Sequence, residues 1–157
     1  MQQYFNRAME VLNENFGHDV VVALATTADG KVSVREVDCY YKDGKIYVVT
    51  NAKTRKVQDI EKCPEVAMCK QMSKLSGKAV NIGHPLAPQN IQLRNELRKV
   101  FALFYNSHIN ENDPDTCILE ITLDKVETYT RYHRYTVDFK TNEIGREHYS
   151  PSELWPQ

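Results

Sequence analysis

The first apolar pattern along the chain has helical spacing. Phe5, Met9, Leu12 and Phe16 recur every three or four residues, which places them on one face of an α-helix. Gly17 follows directly, at a position where helices commonly end in a left-handed residue. The spacing therefore predicts an amphipathic helix over residues 2–16 that packs against the rest of the protein.

From residue 20 onward the pattern changes to short runs rich in β-branched residues. The runs 20–26, 32–41 and 46–50 are separated by Asp-Gly turn signals at 29–30 and 43–44, which predicts a three-strand antiparallel meander. In the second run the alternation of apolar residues shifts by one position around Arg35 and Glu36. A β-bulge would produce this shift, and so would a strand that is buried on both faces.

The rest of the chain predicts further strands and a longer helix. A short helix follows residue 54 and ends before Pro64, and strands are expected over 66–70 and 78–83. A helix is expected from Pro88 to about Asn106, and a half-buried strand over 117–124 continues or turns into 127–139. Six or seven short strands without regular strand–helix alternation predict a mainly β (α+β) fold, an antiparallel barrel with peripheral helices.

Length and charge limit the domain count and the partners. The 157 residues suffice for one domain, with the helix at 2–16, the barrel at about 18–139 and a tail at 140–157. The net charge of −1 creates no overall field that would attract nucleic acid, and no apolar run is long enough to span a bilayer. Because no leader pattern is visible either, we expect a cytoplasmic protein without nucleic-acid or membrane partners.

The cysteines and histidines give little sign of a metal site. The four cysteines lack C-x-x-C spacing and mostly fall in strand-like patterns, so we expect buried free thiols rather than a disulfide or metal ligands. The five histidines are scattered, without zinc-binding spacing. We therefore expect no metal.

Residues 49–57 carry the clearest chemical signal, because an apolar strand there runs into a short helix that begins with two cations. The first N–H groups of a helix are unpaired and the helix dipole is positive at that end. Arg55 and Lys56, with the hydroxyls of Thr50 and Thr54, would converge there on an anion such as phosphate. The alternative is an ordinary solvated helix start, capped by Asn51 or Thr54. Neither a Rossmann glycine fingerprint nor a P-loop motif is present.

Several segments, taken in order, resemble the pyridoxamine 5′-phosphate oxidase-like family. They are residues 23–27, 29–30, 34–37, 44–51, 54–57 and 63–67, and the resemblance covers roughly residues 18–130. The spacing of Arg35, Thr50 and the Arg55-Lys56 pair is more specific than any one segment. The resemblance implies a six-stranded antiparallel split β-barrel, a homodimer, and FMN held at the dimer interface.

The resemblance also implies a set of cofactor-binding residues. Arg35 corresponds to an arginine of the second strand that contacts the FMN phosphate, and Arg55 and Lys56 correspond to a basic pair that grips it. Two further segments correspond to contacts with the flavin ring and ribityl chain, and one position lies near the flavin. These are Glu36, Val37 and Asp38 in the second strand, Val49, Thr50 and Asn51 at the end of the third, and Lys78.

These observations predict an FMN-dependent oxidoreductase that passes electrons from a reduced nicotinamide nucleotide to a small acceptor. The C-terminal motif with which true pyridoxamine phosphate oxidases close over their substrate is not reproduced in residues 147–155. Vitamin oxidation is therefore not expected. Two alternatives are a non-catalytic flavin or haem carrier and a reductase that uses a deazaflavin. The homodimer would also cover the aromatic and arginine-rich stretch 131–135.

Overall fold

Eight strands and four α-helices form in the computed structural model, which describes residues 2–150. The helices are α1 (Gln2–Phe16), α2 (Arg55–Lys62), α3 (Ile91–Val100) and α4 (Ala102–His108), with a 3₁₀ turn at Pro88–Asn90 before α3. The strands are β1 (Val20–Ala28), β2 (Lys31–Lys42), β3 (Lys45–Asn51), β4 (Glu65–Lys70), β5 (Ser73–Asn81), β6 (Thr116–Tyr129), β7 (His133–Asp138) and β8 (Glu143–His148).

Six of the strands close into an antiparallel barrel. Their order is β3-β2-β1-β4-β5-β6, and β3 pairs with β6 to complete the circle. Strands β7 and β8 extend the sheet beyond β6 as an antiparallel hairpin. The predicted fold class, a mainly β split barrel of six strands with peripheral helices, is therefore confirmed.

Two apolar clusters stabilise this arrangement. The barrel interior holds side chains from all six strands together with α1 and α2, among them Phe16, Leu24, Ile46 and Leu119. A second cluster lies outside the barrel, where α3 and α4 cover β3 and β6. Because strand side chains alternate between faces, Val48 belongs to the first cluster and its neighbour Val49 to the second.

Strand β2 contains neither the bulge nor the two-sided burial that the shifted pattern suggested. Its register with β1 is continuous, from Val20 opposite Cys39 to Ala28 opposite Lys31. The shift arises because Val32 and Val34 lie on the outer face and remain 75 % and 67 % exposed, whereas Val37 onward faces the core. The irregular register lies instead in β5–β6 at Ser76 and Gly77, where a Cβ on Gly77 would clash with the Thr122 carbonyl oxygen.

Other boundaries differ because their turns lack the usual residues. Strand β5 begins at Ser73, five residues earlier than predicted, after a two-residue turn in which Gln71 adopts φ 54°. The helix predicted to Asn106 is interrupted at Phe101, although its apolar stripe continues into α4. Part of the predicted tail forms β8, whose sequence has a single large apolar residue, Ile144.

The four cysteines are free, but they are not all buried. Cys39 and Cys117 lie in the core, Cys63 is half-buried, and Cys69 is exposed on the outer face of β4, contrary to the expectation. Part of the C-terminal segment singled out for its departure from the oxidase motif, residues 151–155, lies outside the described residues. Among residues 2–150, no helix has the length and apolar character that crossing a membrane requires.

Candidate anion-binding site

The turn between β3 and α2 is fixed by side chains that bind main-chain atoms. Asn51 Oδ1 accepts a hydrogen bond from the Lys53 N–H at 2.9 Å, and the Thr54 hydroxyl donates to the Asn51 carbonyl at 2.7 Å. Asn51 Nδ2 donates to Asp113 at 3.0 Å, which ties the turn to the loop before β6. The Asn51 side chain therefore holds this turn in place.

Helix α2 begins without a side-chain cap. Thr54 occupies the N-cap position, but its hydroxyl points back to Asn51 and makes no cap hydrogen bond. The first bond of the helix runs from the Gln58 N–H to the Thr54 carbonyl, so the N–H groups of residues 55–57 have no helical acceptor. Thr54 is the N-cap residue, as the alternative of an ordinary helix start expected, but its side chain does not cap the helix, so the N–H groups at this positive end are free of helical acceptors and suit an anion.

Two of the predicted arginines meet at a buried carboxylate. Asp59, on α2, is 5 % exposed and accepts a hydrogen bond from the Thr26 hydroxyl at 2.8 Å. The same hydroxyl accepts a hydrogen bond from Arg35 Nη1 at 2.7 Å. Arg55 Nε donates to the other Asp59 oxygen at 3.4 Å. Arg35 from β2 and Arg55 from α2 are thus connected through Thr26 and Asp59.

The third predicted cation, Lys56, is half-buried beside them. Burial lowers the pKa of Lys56, and the nearby charge of Arg35 lowers it further. Its ammonium group makes no hydrogen bond or ion pair with any residue of the part of the chain that is described. Thr50 lies in the same corner, because it pairs with Cys117 across β3–β6 and Lys56 acts electrostatically on the Cys117 thiol.

The electrostatics of this cluster favour an added anion. Burial lowers the pKa of Arg35, and the charge of Arg55 contributes in the same direction. The pKa of Asp59 is lowered, first by the hydrogen bond from Thr26 and then by the two arginines, so its carboxylate stays charged. Asp59 faces Arg35 and Arg55, and Lys56 lies close enough to Arg35 to lower its own pKa, so one carboxylate accompanies three cations and the cluster has an excess of two positive charges.

Other predicted residues lie away from this cluster. Val37 faces the barrel core, and Val49 is buried beneath α3 and α4, so their side chains are not available to a ligand. Glu36 and Asp38 lie on the outer face of β2. Lys78 is exposed on the outer face of β5, opposite Glu65, with β1 and β4 between it and β2. Their contacts with a cofactor remain predictions.

Sequence reasoning missed two members of the cluster, Thr26 and Asp59. Asp59 could have been found, because it follows Arg55 by four residues and such pairs meet on one face of a helix. Thr26 could not be identified from the sequence, because a β-branched residue is typical of any strand position. Within residues 2–150, no three His, Cys, Asp or Glu side chains come close enough together to hold a metal ion.

Comparison with solved structures identifies the class of the fold. General Stress Protein 26 from Bacillus anthracis superimposes with a TM-score of 0.60 at 17% identity, covering 94% of this chain and 100% of that one. A pyridoxamine 5′-phosphate oxidase-related, FMN-binding protein from Nostoc punctiforme gives 0.56 at 14% identity, covering 96% and 94%. HutZ, the haem storage protein from Vibrio cholerae, gives 0.58 at 13% identity, covering 76% and 89%.

These structures share the split-barrel fold, and pyridoxamine 5′-phosphate oxidase-like FMN-binding proteins are among them. The chain thus has the fold that its sequence segments predicted. No protein-family model matches the sequence, and comparison with curated proteins finds no similar sequence.

Proposed function

We propose that this protein binds FMN at the Arg35–Arg55–Lys56 cluster and transfers electrons from a reduced nicotinamide nucleotide to a small acceptor. The observation that carries the proposal is the connection of Arg35, from β2, and Arg55, from the start of α2, to the one carboxylate of Asp59, with Lys56 close to Arg35. When bound, FMN supplies the redox chemistry. The protein supplies the grip on the phosphate and the orientation of the cofactor.

The charge of the cluster suits a terminal phosphate. Two positive charges lack a counter-ion, and a phosphomonoester carries about −1.5 to −2 at pH 7. Unpaired helix N–H groups and guanidinium donors are the usual partners of such a group. FMN ends in a phosphomonoester, whereas riboflavin has none. The proposal therefore requires FMN to bind more tightly than riboflavin.

We further propose that the working form is a homodimer, joined through the outer face of β1, β2 and β4. Val21, Val32 and Val34 are between 47% and 75% exposed on this face, which is much apolar surface for a monomer to leave in water. Acidic Glu36 and Asp38 lie toward one side of it, and Lys74 and Lys78 lie on β5 at the other. A two-fold axis would place the acidic side of one copy against the basic side of the other.

A groove of about 910 Å³ continues this apolar face toward β7 and β8. Its floor includes Ala23, Ala25 and Ala67, and Ile144 and Gly145 of β8 form part of the far wall. Small side chains leave room for close approach by another surface. We propose that the second copy covers this groove.

Absorbance of the purified protein tests the proposal, because flavin, haem and deazaflavin have different spectra. A flavin spectrum, followed by anaerobic bleaching with NADH or NADPH, is the expected result. The carrier function is the second candidate, since the fold also occurs in the haem storage protein HutZ. A haem band, or a flavin that neither nicotinamide reduces, would favour the carrier.

A further inference from the structure

We infer that Asp59 is the positioning residue of the anion site, holding Arg35 and Arg55 where a phosphate can be bound by both. This inference rests on the proposed phosphate site and concerns a residue that is not expected to touch the ligand. An acidic residue in an anion site should weaken binding if its charge were its only effect. The hydrogen bonds of Asp59 indicate instead that this residue strengthens anion binding.

Asp59 uses both carboxylate oxygens to hold neighbouring groups. Oδ2 accepts a hydrogen bond from Thr26 at 2.8 Å, and Oδ1 accepts one from Arg55 at 3.4 Å. Because a guanidinium can only donate, the Thr26 hydroxyl must accept from Arg35 and give its proton to Asp59. The donor and the acceptor of each hydrogen bond from Arg35 through Thr26 to Asp59 are therefore fixed.

This arrangement leaves donors of both arginines available. Arg35 uses Nη1, for Thr26 and for the Leu24 carbonyl at 3.3 Å, and Arg55 uses Nε. The remaining guanidinium nitrogens make no hydrogen bond with the described residues. Long side chains such as arginine lose rotamer freedom when they bind a ligand. Fixing one end of each guanidinium beforehand reduces that loss and so increases affinity.

The sign of one change in affinity separates positioning from simple charge. In Asp59→Asn the side-chain amide has one accepting oxygen and one donating NH₂ group. It therefore cannot accept hydrogen bonds on both sides, from Thr26 and from Arg55. If Asp59 positions the arginines, FMN binding weakens although a negative charge has been removed. If Asp59 acts only through its charge, FMN binding strengthens.

The experiment compares FMN and riboflavin affinities by fluorescence titration at fixed ionic strength. The variants are Asp59→Asn and Thr26→Val, and the control is Glu61→Gln, an equal charge change on an exposed position of α2. We expect each of the two variants to bind FMN about tenfold more weakly, the size of one good hydrogen-bond contribution. Riboflavin affinity should stay unchanged in every variant, and FMN affinity should stay unchanged in the control.

Tighter or unchanged FMN binding in Asp59→Asn would overturn the inference. An equal loss of FMN and riboflavin affinity would also overturn it, because it would indicate general damage to the fold. If wild-type protein prefers FMN no more than riboflavin, the proposed function fails instead. Inorganic phosphate then provides the independent test: it should raise the melting temperature of wild-type protein more than that of either variant. An equal rise in all three would refute the positioning role.

Discussion

Asp19, just before β1, and Asp38, on β2, form a pair of carboxyl groups at the outer edge of the barrel. Oδ1 of Asp19 is buried and finds no hydrogen-bond partner within the described part of the chain. Burial, followed by the hydrogen bond and the negative charge of Asp38, raises the pKa of Asp19 to about 6. The Asp19 carboxyl therefore keeps its proton to a higher pH than an ordinary aspartic acid does.

This pair makes stability depend on pH. In the unfolded chain Asp19 loses its proton near pH 4, but in the folded protein it keeps the proton until about pH 6. Between these values the folded state binds more protons, so the free energy of unfolding falls as pH rises. We predict that Asp19→Asn is more stable than wild type at pH 7.5 by about 1–2 kcal/mol, after allowance for partial solvent exposure.

Chemical denaturation at pH 7.5 and pH 4 measures this difference. The gain should vanish at pH 4, where wild-type Asp19 is protonated. Asp43→Asn removes an equal charge at the exposed β2–β3 turn, where Asn tolerates the φ of 49°, and should show no such pH-dependent gain. A gain of equal size at both pH values would contradict the raised pKa of Asp19.

Removal of either arginine should weaken FMN binding. Arg35→Ala and Arg55→Ala each delete a charged hydrogen-bond donor, and we expect a loss of about ten- to hundredfold in affinity. Lys62→Ala is the control, because Lys62 pairs with Asp29 at the other end of α2. Isothermal titration with FMN measures all three. Unchanged affinity in both arginine variants would remove the phosphate from this site.

A charge on the outer face of β2 should break the proposed dimer. Val34→Asp places a carboxylate among the exposed valines of the proposed interface, and we expect a shift from dimer to monomer in size-exclusion chromatography with light scattering. Leu103→Asp, on α4, changes a side chain that is 94% exposed and should leave the mass unchanged. A wild-type monomer that retains FMN at micromolar concentration would show that one chain completes the site.

Acid should loosen the packing around β7. His133 contacts Arg146 at 3.3 Å, and burial lowers its pKa, with further contributions from Arg146, His148 and Arg7. The unfolded chain therefore binds a proton more readily, and stability is lost as pH falls below about 6.5. His133→Gln should show a smaller loss between pH 7 and pH 5.5 in thermal melts. The exposed His18, replaced by Gln, should leave the wild-type profile intact.

The protein should oxidise pyridoxamine 5′-phosphate poorly. Residues 147–155 do not reproduce the segment that binds the vitamin substrate in true oxidases, so the binding energy that orients this substrate would be missing. Steady-state assays on one preparation should show faster reduction of quinone or nitroaromatic acceptors by NADH or NADPH. Efficient oxidation of the vitamin would contradict this expectation.

The sequence predicted the elements that form by local periodicity. Helix α1 has the predicted bounds, and the β1–β2–β3 meander follows from alternation between two Asp-Gly turns. Elements without such signals were missed. The β4–β5 turn uses Gln71 at positive φ, and β8 is almost entirely polar, so neither could be placed from local pattern.

The residues of the candidate site likewise divide into those with a local sequence signal and those without one. Arg55 and Lys56 were found because a helix start has a local signature, whereas Asp59 and Thr26 join the site only through tertiary packing. The exposed valines of β2 form a misleading pattern for a related reason. An apolar residue on an outer face reads as a core residue until its register is known, so Val32 and Val34 suggested a bulge that does not exist.

If Lys56 binds the anion as proposed, it connects ligand supply to the lifetime of the protein. A half-buried ammonium without a counter-ion opposes folding, because its charge has left water without gaining a partner. A bound anion removes this disadvantage and stabilises the folded state by mass action. Copies without ligand are therefore expected to unfold more often and to reach cellular proteases first. A variant that replaces Lys56 by Met would gain persistence at the expense of binding, so the abundance of the wild-type protein should follow the availability of its ligand.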